Sequence, residues 1–172
     1  MITLNKKTIL EYAMKYDEQY SQAAEAVEKK MKQLLQNQRY LTRDQFVQIG
    51  LWKSRRPQKH YLNEENDDLT VKEVTQFCFS TKSCNARIKT LLTLKGVSWP
   101  LASTILHFAF PDKFPIMDFR VVWSLGWKKP PSYKYIFWQE YCDKVNNISK
   151  KLKLPIRTVE KALWRYSKDH QK

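Results

Sequence analysis

Three stretches of the 172-residue chain hold residues whose types and spacing could do chemistry. The first is LKGVSWPLAS, residues 94–103, which reads as a tight turn between two helices. Its first helix ends at Leu94, Gly96 and Val97 form the turn, and Pro100 suits the first position of the next helix. Gly96 is free to take a positive φ, and a turn feeding a helix N-terminus points backbone amides outward, as phosphate binding requires. Gly96, Val97 and Ser98 are the expected donors, with Lys95 beside them. Many helical hairpins contain a glycine and bind nothing, so the turn alone leaves both readings open.

The second stretch is PDKFPIMD, residues 111–118, in which Asp118 ends an apolar run just ahead of FRVVWSL. An aspartate there is a natural N-cap for a helix over Phe119–Leu125. It is also a carboxylate able to orient or deprotonate a water. The two roles are compatible, because a capped carboxylate is held rigidly. The third stretch, LWKSRRPQKHY, packs Lys53, Arg55, Arg56 and Lys59 between Trp52 and Tyr61. The charges read as a solvated face or as contacts to a polyanion.

The whole-chain charge favours the polyanion. Lys and Arg number 31 against 17 Asp and Glu, for a net charge of +14. Basic side chains gain affinity for nucleic acid by releasing counterions condensed on its phosphates. Cys78, Cys84 and Cys142 show no metal-ligand spacing, and an odd count argues against a disulfide framework. Free thiols, a chain start without a secretory pattern and the lack of a long apolar run point to a cytoplasmic protein with no membrane partner.

These stretches need a scaffold, and it reads as all-α. Aromatic residues make up 13% of the chain, ample for a core, while three glycines are few for a β-rich fold. A long amphipathic helix is expected from Lys6 to about Leu35. Thr42 and Gln45 form a capping box for a second helix, and Thr70 with Glu73 reads as another. Ser83 can cap a helix bearing Ile88, Leu91 and Leu92, which leads into the hairpin over residues 87–110. Helices are also expected from about Ser132 to Lys151 and from Pro155 onward. That makes about eight helices in a single domain over residues 1–172, with no strand.

LKGVSWPLAS resembles the hairpin of the helix-hairpin-helix DNA glycosylases, and Asp118 follows Gly96 by 22 positions, as the catalytic aspartate does in endonuclease III-like members. The resemblance is clear over residues 87–125 and extends over roughly 42–168. It implies a two-lobed helical fold with the hairpin and Asp118 facing a cleft. It also implies hydrolysis of the N-glycosidic bond of a damaged or modified base in double-stranded DNA, by a monomer associated with the nucleoid. Asp118 would stabilise the oxocarbenium-like transition state. Arg120 would meet a phosphate near the target nucleotide, or pair with a neighbouring carboxylate. Trp52, with Lys53, Arg55 and Arg56, falls near the family's wedge loop, where the indole could stack on or replace an extruded base. Trp52 reads equally well as a core residue.

The sequence departs from that family's pattern at informative places. Bifunctional members carry a lysine where this chain has Pro100, so Schiff-base lyase chemistry by that route is not expected. Ser98 replaces the hairpin's second glycine, and the four cysteines of the family's iron–sulfur cluster have no counterpart. No cofactor is implied beyond a monovalent cation that such hairpins can hold. Two rivals stay open: a non-catalytic DNA-binding module on the same scaffold, and an interaction protein with an apolar patch on its first helix.

Overall fold

The computed structural model describes residues 2–171, and every regular element in them is helical. Ten helices occur among the described residues: α1 (Lys6–Asp17), α2 (Gln22–Asn37), α3 (Arg43–Lys53), α4 (Gln58–Tyr61), α5 (Asp68–Ser80), α6 (Cys84–Leu91), α7 (Trp99–Ala109), α8 (Phe119–Ser124), α9 (Tyr135–Leu152) and α10 (Ile156–His170). None of them is long and apolar enough to cross a membrane. The chain divides into two units: Gln22–Ala109, and the residues up to Ser21 together with those from Phe110 on.

In the Gln22–Ala109 unit, α7 is the central helix. Every residue from Leu101 to Phe108 is buried, and α2, α3 and α6 pack against it. The capping box is present at α3: Thr42 accepts the Gln45 amide while Gln45 accepts the Thr42 amide. Ser83 caps α6 as expected, accepting the Ala86 amide. The expected box at Thr70 is a correction. Asp67 is the cap, its carboxylate accepting the Thr70 amide at 2.7 Å, so Thr70 lies inside α5. An aspartate carries a full charge to the positive end of the helix, which explains why the start moves to it.

The other unit is built on α10, which packs along α1 and against α8 and α9. Of the stripe expected from sequence, Val159, Ala162 and Leu163 are buried, Tyr166 is half-buried, and Ile156 joins the buried face. The single long first helix is the second correction. It breaks after Asp17, where Gln19 and Tyr20 turn back onto the carbonyls of Tyr16 and Asp17. Cations from α10 fix that end: Arg165 donates to the Lys15 carbonyl at 2.9 Å and Lys161 pairs with Asp17 at 2.7 Å. Positive groups at a helix C-terminus satisfy its open carbonyls and oppose its dipole. With this break and the short α4, about eight expected helices become ten.

Candidate functional site

The hairpin turn belongs to the Gln22–Ala109 unit. Val97 donates its amide to the Leu94 carbonyl at 3.1 Å, and Gly96 sits at φ +81°. A positive φ at the third residue of a four-residue turn is the type II pattern, which glycine adopts without steric penalty. Ser98 occupies the cap position, its carbonyl accepting the Ala102 amide at 2.8 Å. The second helix therefore starts at Trp99, and Pro100 is its second residue rather than its first.

The turn is braced from outside. Asn66, fully buried, accepts the Lys95 amide at 2.9 Å and donates to the Lys95 carbonyl at 3.0 Å. The same amide group reaches the carbonyls of His60 and Tyr61, tying the end of α4 to the turn. A Cβ on Gly96 would lie 2.8 Å from the His60 Cβ and 2.9 Å from Tyr61 Cδ1, so only glycine lets α4 come this close. Tyr61 meets a second glycine on its other flank, where a Cβ on Gly50 would fall 2.7 Å from the ring.

The segment that packs on the turn is rich in basic residues. Lys59 and His60 on α4 are exposed, Arg55 and Arg56 on the loop before it are exposed, and Lys53 ends α3. Lys95 is exposed and makes only a surface contact with Glu65 at 3.1 Å, which contributes little. Of the expected amide donors, Val97 is a correction: its N–H is committed inside the turn, as is that of Lys95 to Asn66. The amides of Gly96 and Ser98 make no hydrogen bond to the described residues. Trp52 is half-buried; its Nε1 donates to the Ala24 carbonyl at 2.9 Å and its ring meets Phe108 edge-on at 5.0 Å. That position fits the core alternative.

Asp118 belongs to the other unit. The strap before it is buried from Phe114 to Met117, with Phe114 stacked on Trp138. Ile116 is gripped at both backbone groups: the Glu160 carboxylate accepts its amide, and the Tyr141 hydroxyl donates to its carbonyl at 2.6 Å. Asp118 follows two residues later, half-buried, and caps α8 by accepting the Arg120 amide at 3.0 Å. Burial pushes the Tyr141 hydroxyl well above its usual range, and the negative charges of Glu160 and Asp118 push it the same way. Burial also raises Tyr133, with Asp118 again adding to it. Both phenols therefore stay protonated at neutral pH.

Arg120 is stacked, with its guanidinium 5.4 Å from the centre of the Trp164 ring and 5.2 Å from that of Phe119. Its side chain meets no acceptor among the described residues, which leaves its N–H donors available to an anion. Sequence reading missed Glu160, Tyr141 and Asn66. Glu160 did leave a trace: it is a carboxylate on the apolar stripe of α10, one turn from Arg157, and an acid on a buried face is nearly always partnered. The third open reading also has a counterpart, since Leu10 and Met14 lie one turn apart on α1 and are exposed. Comparison with known protein families, with curated proteins and with solved structures finds no match.

Proposed function

We propose that this protein is a monofunctional DNA N-glycosylase, hydrolysing the bond between a damaged or modified base and its deoxyribose. The observation that carries the reading is Asp118: a half-buried carboxylate, fixed by a helix cap and by a strap anchored at Ile116. As the base departs, positive charge grows on the sugar, and a fixed carboxylate stabilises it without having to reorganise. The base leaves with the electron pair of the broken C–N bond, water adds to the anomeric carbon and gives its proton to Asp118, and that proton passes through solvent to the base, regenerating the carboxylate. Arg120, stacked on Trp164, holds a neighbouring phosphate.

The hairpin turn supplies the second half of the reading. The Gly96 and Ser98 amides, with Lys95, Lys59, Arg55 and Arg56 nearby, suit a DNA backbone phosphate. The net charge of +14 accounts for affinity independent of sequence. The test is base release from duplexes carrying alkylated, oxidised, deaminated or hydroxymethylated bases, followed by mild alkali to turn abasic sites into breaks. Release by the wild-type protein that is lost in Asp118→Asn supports the reading. Salt-sensitive binding without release from any duplex would instead favour the non-catalytic module, in which Asp118 is only a cap.

A further inference from the structure

The C-terminal end of α8 carries an aromatic groove that the proposed base-release reaction does not use. The helix closes in a Schellman motif: Gly126, at φ +76°, donates its amide to the Trp123 carbonyl at 2.9 Å, and Trp127 donates to Val122 at 3.1 Å. This reversal lets Trp127 share a groove with Trp123. Trp123, Gly126, Trp127 and Lys128 together line an open groove of about 380 Å³. Each indole has a ring partner, Trp123 with Tyr166 at 6.0 Å and Trp127 edge-on to Phe137 at 5.7 Å. The walls are thus set before any ligand arrives, which lowers the entropy lost on binding.

Lys128 lines the groove, and the segment that carries it is basic. From Phe119 to Gln139 the chain has no aspartate or glutamate, while Arg120, Lys128, Lys129 and Lys134 are all basic. Flat aromatic walls with lysine at the rim match a planar base carrying a phosphate. A base paired within a duplex has no face to offer, so the ligand must be unpaired. We infer that the Trp123–Trp127 groove binds one nucleotide of single-stranded nucleic acid, its base against the indoles and its phosphate on Lys128.

Fluorescence anisotropy with an end-labelled oligothymidylate, compared with an abasic deoxyribose-phosphate strand of equal length, tests this. The wild-type protein should hold the base-bearing strand about tenfold tighter, since stacking on one aromatic side chain is worth about 1–3 kcal/mol. Trp127→Leu should abolish the preference, and Lys128→Glu should weaken the base-bearing strand about fivefold or more. Lys128 is exposed, so the second variant tests the groove even if the first does not fold. Equal binding of the two strands by wild type, or a preference that survives both substitutions, overturns the inference. So does displacement of the strand by polyglutamate at matched charge, which would identify an acidic peptide as the ligand. Base release dependent on Asp118 stands or falls separately.

Discussion

Asn66 hydrogen-bonds both main-chain polar groups of Lys95, accepting from its amide at 2.9 Å and donating to its carbonyl at 3.0 Å. One side chain thus replaces the strand or helix partner that the backbone before the turn lacks. Asn66→Ala should therefore destabilise the fold by about 2–3 kcal/mol, because a buried amide and several carbonyls lose their partner together. Asn66→Asp should be no better, since it keeps the acceptor but sets a carboxylate against three carbonyls. Denaturant titration reads the loss. An alanine variant within about 0.5 kcal/mol of wild type would show that the turn stands without the brace.

Tyr61 sits between Gly50 and Gly96, and this makes a sign-reversing test possible. Alanine is the better helix former, so Gly50→Ala in α3 would ordinarily gain up to about 1 kcal/mol. Here the new methyl would meet the Tyr61 ring at 2.7 Å, and we expect a net loss of about 1–2 kcal/mol. In a Tyr61→Ala background the obstacle is gone, and the same change should turn stabilising. Equilibrium unfolding of the four proteins checks it; a Gly50→Ala effect of one sign in both backgrounds refutes the sandwich.

The cap and catalytic roles of Asp118 separate by choice of substitution. Asparagine caps helices as well as aspartate, so Asp118→Asn should leave stability within about 0.5 kcal/mol while removing the charge. Asp118→Ala loses both and should cost about 1 kcal/mol of stability. Base release should fall at least about a hundredfold in each. Activity that tracks stability across the pair, surviving in asparagine and failing in alanine, would reduce Asp118 to a structural residue.

Glu160 acts on the same site at one remove. Glu160→Gln keeps an oxygen for the Ile116 amide and should preserve the strap, although Arg157 loses its charged partner at 3.6 Å. Glu160→Ala leaves that amide without its acceptor and takes the carboxylate away from Arg157, and should destabilise by about 3 kcal/mol. If the strap positions Asp118, the alanine variant should lower kcat more than it raises KM, and glutamine should restore most of kcat. A change in KM alone would mean that Glu160 supports binding and not the carboxylate.

Much of this was legible in the sequence, and the exceptions have physical causes. Caps at Thr42, Ser83 and Asp118 could be read because capping is local chemistry, satisfied within three residues. The break between α1 and α2 could not. Buried Ala13 and buried Met31 are 18 positions apart, five whole helical turns, so the apolar stripe stays in phase across it. Only long-range partners reveal the break, in this case cations on α10. Asn66 was hidden for the same reason: in NEENDD it looks like any polar turn residue, and its burial follows from the arrival of Lys95 from 29 positions on. Sequence placed Trp52 in a polar, basic stretch, yet α2 and α7 supply its partners.

Cys78 gives the fold a titratable reporter. Fully buried, its thiol is pushed up to about 12 from the usual 9.0, chiefly by burial, with Arg87 pulling slightly the other way. The unfolded thiol thus releases its proton near pH 9 while the folded one keeps it. Stability from this group is complete below pH 9 and drains away as pH climbs toward 12, by up to about 1.4 kcal/mol per pH unit. Tyr141 adds a loss of the same sign from about pH 10 upward, since its folded value is also raised. Comparing Cys78→Val with wild type between pH 8 and pH 10 isolates the thiol. The variant's stability should be flatter there, and native wild-type protein at pH 8 should alkylate at Cys84 well before Cys78. Identical pH slopes, or prompt alkylation of Cys78, would mean that water reaches the thiol in the folded state.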